Sequence, residues 1–121
     1  MSFRQPRLKF ADWNMNTTEK IQRWYLSKCN GDWEHKSGVL IETLDNPGWS
    51  VKIDLDGTEL KNMEFKEYSY GAGEAADPSG DDWLVTKVEN RQFIGFGGPE
   101  KLEEILIVFL NWAGKRSEPS A

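Results

Sequence analysis

The residues best suited to chemistry lie within 21 residues, from Cys29 to Trp49. This stretch holds the only cysteine, the only histidine and four carboxylates, together with two tryptophans. A cysteine nucleophile requires a nearby base or a helix N-terminus to lower the pKa of its thiol. Cys29 instead falls at the predicted C-terminal end of a helix, so we interpret it as a buried structural residue.

Neither metal nor cofactor chemistry is favoured by the spacing. Zinc sites usually take three or four ligands, mostly His and Cys, and the chain offers one of each. The segment DLDGTEL resembles a calcium loop, but its glycine occupies the fourth position and not the sixth. The glycines of GFGGP lie where a phosphate loop could form, yet Glu100 replaces the third glycine of that fingerprint. We therefore predict no metal and no cofactor.

Six residues of the stretch are candidates for a binding surface, and each also has a structural interpretation. Tryptophans that follow turns can start strands and anchor a core, or serve as interface hot spots. The polar residues can cap backbone amides or contact a partner. A small enzyme that uses His35 with Asp32 or Glu34 as acid and base stays open as an alternative. The candidates are Asp32, Trp33, Glu34, His35, Asp45 and Trp49.

Charge is distributed unevenly along the 121 residues, whose net charge is −5. Residues 1–30 carry six basic and two acidic side chains, whereas residues 31–89 carry five basic and fourteen acidic ones. Direct nucleic-acid binding is not expected, because phosphate contacts require a basic face. A basic protein partner is compatible with the acidic middle of the chain.

The location of the protein is also predicted from composition. The longest apolar run, Ile105 to Leu110, is far shorter than the ~20 residues of a membrane helix. We recognise no secretion signal at the N-terminus. A single cysteine cannot form an intramolecular disulfide, so we expect a cytoplasmic protein.

The elements that position the candidate residues follow from capping, periodicity and turn residues. A first helix should begin near Asn16, which forms a capping box with Glu19, and end at Asn30-Gly31. GVLIETL and the alternating WSVKIDL predict a hairpin, whose turn has Pro47 at its first position and Gly48 at a positive φ. A third strand should lie between Glu59 and Tyr70. WLVTKV and RQFIGF predict a second hairpin, with Glu89-Asn90 as its turn, before a C-terminal helix.

These elements predict an α+β domain, with an antiparallel sheet of about five strands and both helices packed on one face. Residues 16–114 form this domain, residues 1–15 an N-terminal arm and residues 115–121 a disordered tail. Ile107 falls opposite the buried stripe of the last helix. We therefore expect the arm or a second subunit to cover it.

Three segments carry a family resemblance: IQRWYLSKCNGDWEH, IETLDNPGWSVKIDL and FIGFGGPEKLEEILIVFLNW. Together they resemble the immunity protein 53 family of bacterial polymorphic toxin systems. The resemblance implies a small cytoplasmic protein that binds and neutralises a toxin encoded beside it, without catalysis. A basic nuclease-type toxin domain would suit the acidic chain. A general protein-interaction module is a further alternative.

Overall fold

The first helix begins where the sequence predicts, because two side chains satisfy each other's backbone. The Glu19 amide donates to Asn16 Oδ1 at 2.8 Å, and the Asn16 amide donates to Glu19 Oε1 at 3.0 Å. This capping box opens helix α1, Thr17–Lys28. The computed structural model describes residues 15–72 and 80–117.

After α1 the chain forms a one-turn helix, five strands and a long final helix. All strand pairs are antiparallel, and the order across the sheet is β1-β2-β5-β4-β3. The elements are α2 (Trp33–Lys36), β1 (Val39–Leu44), β2 (Gly48–Asp54), β3 (Tyr68–Tyr70), β4 (Leu84–Glu89), β5 (Gln92–Gly97) and α3 (Leu102–Ser117). Because α1 and α3 both contact the sheet, the predicted α+β class is confirmed.

The core lies between α3 and one face of the sheet. Alternate residues of β2 and β5, among them Val51, Ile53 and Phe93, are fully buried there, as is Phe109 of α3. Gly95 allows α3 to approach, since a Cβ at this position would collide with Cγ2 of Ile105. The glycines of GFGGP therefore have a packing role.

The two hairpins form as predicted, but their turns differ from the expectation. Gly48 does not adopt a positive φ; it is buried as the first residue of β2, and the Asn46–Pro47 peptide is cis. In the second hairpin the turn lies one residue later than predicted. Asn90 and Arg91 have φ values of 55° and 62°, which suit a two-residue turn between twisted strands.

Irregular chain between β2 and β3 is tied to α3 by a tryptophan. Trp112 is 6% exposed, and its indole N–H donates to the Glu64 carbonyl at 2.9 Å. Phe65 packs edge-on against Trp112, with ring centroids 5.1 Å apart. This contact closes the core at the end of the sheet where Phe93 lies.

Several predictions concern residues outside the described ranges. These are residues 1–14 of the predicted arm, the last four residues of the predicted tail, and residues 73–79 between β3 and β4. α3 continues to Ser117, three residues into the predicted tail. Ile107 on α3 is 39% exposed. Within the described ranges, every helix is too short or too polar to cross a membrane.

Candidate partner-binding site

The GDWEH motif begins with a tight loop that starts a helix. Asn30 Oδ1 accepts hydrogen bonds from the amides of Asp32 and Trp33, both at 2.9 Å, and Gly31 has a φ of 92°. Asn30 thus forms a side-chain turn that leads directly into α2, whose N-cap is Asp32. The expectation that Trp33 begins a strand was wrong, because Trp33 is the first residue of α2.

Glu34 folds back onto the same loop. Its carboxylate accepts from the Asn30 amide at 2.9 Å and from the Gly31 amide at 2.8 Å. The pKa of the Glu34 carboxyl is lowered, chiefly by a hydrogen bond from the backbone amide of Glu34 itself and further by those from the Asn30 and Gly31 amides. The polar side of the motif thus includes a carboxylate that already has two backbone partners.

Trp33 is a core anchor. It is 5% exposed, and its indole N–H donates to the Asp56 carbonyl at 2.9 Å. Its ring meets Trp24 edge-on at 6.0 Å and lies at the same distance from Tyr25. The core interpretation of this tryptophan therefore matches its surroundings.

Trp49 and Asp45 lie at the other end of β1. Trp49 is partly buried in β2, and its indole N–H donates to the Pro99 carbonyl at 2.9 Å, just before α3. Asp45 is exposed in the turn between β1 and β2. Trp49 thus fastens the start of the final helix, while Asp45 is open to solvent.

Asp32 and His35 carry the exposed side chains of GDWEH. The Asp32 side chain is 78% exposed and lies 3.6 Å from the Lys36 ammonium. Six residues of β1 separate α2 from the Asp45 turn, so the two motifs lie about 20 Å apart. They are not brought together into one cleft.

Between the two motifs β1 exposes side chains that sequence reasoning missed. Leu40 is 50% exposed and Ile41 39%, and Glu42 and Thr43 beside them are also exposed. The signal in the sequence was VLIETL, an apolar run with a single charge. We define the α2–β1 strip as the exposed residues Asp32, His35, Lys36, Leu40, Ile41, Glu42, Thr43 and Asp45.

One cleft in the described part of the chain lies away from this strip. A cleft of about 300 Å³ lies at the starts of α1 and α3 and is lined by Asn16, Thr17, Thr18, Leu102, Glu103 and Leu106. None of the six candidate residues lines it. Over residues 15–72 and 80–117, no cluster of three His, Cys, Asp or Glu side chains is arranged to hold a metal ion.

A second polar cluster fixes the start of α3. Lys101 Nζ lies 2.7 Å from Asp82 Oδ1, and the Tyr70 hydroxyl donates to Glu104 Oε1 at 2.7 Å. The hydrogen bond with Asp82, followed by that with Tyr70, raises the pKa of Lys101 above its usual range. These contacts join β3 and the segment before β4 to the final helix.

The family model of immunity protein 53 matches residues 18–114. The chain belongs to the immunity protein 53 family. Membership implies a cognate toxin as the partner. No curated protein and no solved structure matches the chain.

The region matched to immunity protein 53 contains the whole α2–β1 strip. It runs from the first turn of α1 into α3 and includes all five strands. The resemblance inferred from the sequence is therefore confirmed. In this immunity protein 53 member, GDWEH and LDNPGWS are the two ends of one exposed edge, joined by β1.

Proposed function

We propose that this protein binds a toxin of a polymorphic toxin system in the bacterial cytoplasm and neutralises it without catalysis. Family membership carries the proposal, because an immunity protein acts on a toxin partner. The α2–β1 strip supports a binding role, since it presents exposed charged and apolar side chains on a rigid scaffold. The enzyme alternative gains no comparable support, because Glu34 is engaged by backbone amides and Asp32 is a highly exposed carboxylate that lies 3.6 Å from the Lys36 ammonium.

The six candidate residues divide by role in this proposal. Asp32, His35 and Asp45 contact the toxin directly, because they are exposed. Trp33, Glu34 and Trp49 position them, since each has a hydrogen-bond partner in the backbone. A binding surface whose polar groups are held in place loses less conformational entropy on binding than a surface made of mobile loops.

Charge indicates what kind of toxin domain the strip would suit. Residues 32–45 carry four carboxylates and one lysine, and residues 31–89 as a whole carry fourteen acidic and five basic residues. An acidic surface of this kind speeds encounter with a basic protein and selects against acidic ones. A basic toxin domain, such as a nuclease that must hold phosphates, is therefore the proposed target.

The test reverses charges on the strip. Asp32→Lys combined with Asp45→Lys should weaken binding to the toxin encoded beside the gene. Two lysines facing a basic surface cost several kcal/mol of binding free energy, and every 1.4 kcal/mol or so lowers the affinity about tenfold. Calorimetry gives the affinity, and survival of cells expressing that toxin gives the protection. Glu34 is left intact, since it supports the loop.

The matched control is Glu64→Lys combined with Glu67→Lys. It changes the net charge equally, but on exposed chain that precedes β3, at the opposite edge of the sheet. Loss of affinity in both double variants would mean that only net charge matters. Wild-type affinity in the strip variant would place the toxin elsewhere, and a neighbouring metabolic operon without a toxin would argue for the enzyme alternative.

A further inference from the structure

β1 is an edge strand whose outer side is available for pairing. It ends the strand order, so among the described residues its outer edge has no neighbouring strand. The Asp54 amide donates to the Gly38 carbonyl at 3.1 Å, so Gly38 and Asp54 are a hydrogen-bonded pair of the β1–β2 ladder. In an antiparallel pair, bonded and non-bonded residues alternate. The backbone N–H and C=O groups of Val39, Ile41 and Thr43 therefore point outward.

Within the part of the chain that the structure describes, the β1 edge lacks the usual protections against pairing. Edge strands are commonly kept short, bulged, or supplied with lysine and proline. β1 pairs with β2 over six consecutive residues without a bulge, and Glu42 is its only charged residue. The opposite edge differs, because β3 spans just three residues, Tyr68–Tyr70.

Exposure of the side chains makes this edge accessible on both faces. Leu40 and Ile41 are adjacent residues and so point to opposite faces of the sheet, yet they are 50% and 39% exposed. An added strand could cover both. Its backbone would meet the outward groups of β1, and its alternate side chains would meet Ile41 on one face and Leu40 on the other.

We propose that β1 receives an extended segment of the toxin as a sixth strand of the sheet. The segment would be basic, with apolar residues beside Leu40 and Ile41 and a cationic residue beside Glu42. Main-chain hydrogen bonds supply affinity in such strand addition, and alternate side chains supply specificity. This inference rests on the proposed function and assigns its binding mode.

Charge favours a toxin strand over a second copy of this chain. Self-pairing of β1 would bring two acidic strips together, each with three exposed carboxylates (Asp32, Glu42 and Asp45) and one lysine, Lys36. Each chain also carries a net charge of −5. Like charges across an interface disfavour association, whereas a basic strand would neutralise the same groups.

The test removes one outward N–H and leaves the β1–β2 ladder intact. Thr43→Pro does this at an exposed position, since proline is tolerated in edge strands where its missing N–H faced solvent. Thr43→Ala keeps the N–H and loses only the side chain. Ser69→Pro is the matching change on the opposite edge. The hydrogen-bonding pattern of β4 and β5 implies that the backbone groups of Tyr68 and Tyr70 bond to β4, so the N–H of Ser69 between them points outward.

The probe is the toxin domain encoded beside the gene, and affinity is measured by calorimetry after circular dichroism confirms the fold. We expect Thr43→Pro to weaken binding about tenfold or more, because it loses a hydrogen bond and obstructs the approaching strand. Thr43→Ala and Ser69→Pro should stay within about threefold of wild type. If Thr43→Pro does not fold, Leu40→Lys tests the same edge with every backbone N–H retained, and the same tenfold loss is expected.

Each other outcome overturns a particular statement. Wild-type affinity in Thr43→Pro, or an equal loss in Thr43→Ala, overturns strand pairing while the proposed function stands. Sedimentation of the protein alone reveals a dimer if β1 pairs with itself, and a dimer dissociated by Thr43→Pro would assign the edge to a second copy. If wild-type protein fails to bind the toxin, the proposed function fails first.

Discussion

Replacement of Trp33 tests whether the GDWEH motif is built around a core residue. At 5% exposure the side chain is almost wholly buried, and Trp→Ala changes at such sites cost about 3–5 kcal/mol. Within that total, the lost bond from the indole to the Asp56 carbonyl contributes about 1 kcal/mol. Small domains have about 5–15 kcal/mol of stability in all. Trp33→Ala should therefore remove a large fraction of it.

Trp33→Phe divides this cost into its parts. In the wild-type protein the ring centroids of Trp33 and Trp24 are 6.0 Å apart, and a phenylalanine ring would retain much of this edge-on packing. Phenylalanine has no N–H, however, so it cannot donate a hydrogen bond to the Asp56 carbonyl. We expect a loss of about 1–3 kcal/mol, intermediate between wild type and alanine. Urea titration followed by far-ultraviolet circular dichroism gives the free energy of unfolding, and the slope shows whether both variants unfold in one cooperative step.

Asp32→Lys is the control. The Asp32 side chain is next to Trp33 in the sequence and is 78% exposed, so this substitution should change the free energy of unfolding by no more than about 0.5 kcal/mol. The core role would be refuted if Trp33→Ala kept the wild-type midpoint and slope. If that stable variant also failed to bind the toxin, Trp33 would be an interface hot spot. A destabilised variant that still protects cells at low temperature would support the structural role.

Three further changes test other parts of the fold. Gly95→Ala should lower the free energy of unfolding by about 1–3 kcal/mol, because its Cβ would collide with Ile105. Gly38→Ala places its Cβ in open space and should change the free energy of unfolding by no more than about 0.5 kcal/mol, as urea titration of both variants would show. Arg91→Gly should stabilise by about 0.5–1 kcal/mol, since φ is 62° there, and an unchanged or lower melting temperature would contradict this. Backbone hydrogen bonds lower the pKa of the Glu34 carboxyl in the folded protein, so its stabilisation is present above the pKa of the unfolded chain and is lost as pH falls through the lower folded pKa. The stability difference between wild type and Glu34→Gln should therefore shrink on acidification, and a constant difference would rule out ionisation as its cause.

Features that depend on short-range contacts could be predicted from the sequence. The capping box joins residues three apart, so Asn16 and Glu19 reveal the start of α1 without knowledge of the fold. The alternation of WSVKIDL likewise identifies β2 and its buried face, where Val51 and Ile53 are fully buried. These local patterns were sufficient for the α+β class.

Features that depend on distant contacts could not be predicted in the same way. α2 has only four residues, too few for a periodic pattern, and Trp33 is held by a carbonyl 23 residues further along the chain. Exposure of β1 follows from the strand order, which sequence alone did not give. Gly95 could have been recognised, because a glycine inside a strand often marks close approach by another element.

Predicted turn geometry failed for a related reason. At Gly48 the requirement is space, since a Cβ there would collide with the Gly97 carbonyl of the neighbouring strand. That contact exists only after β2 and β5 have paired. A turn residue can therefore be conspicuous in the sequence while its physical reason lies in the sheet.

The three indole-to-backbone bonds have a consequence for observing the protein in solution. Trp33, Trp49 and Trp112 each donate to a carbonyl in a connecting segment, at Asp56, Pro99 and Glu64. An indole proton exchanges with deuterium only when its bond opens, so its rate reports the opening free energy of that segment. These three protons would give separate magnetic-resonance signals from three parts of the fold. A partner docked on β1 would slow exchange at Trp33 and Trp49, which flank that strand, and leave exchange at Trp112 unchanged.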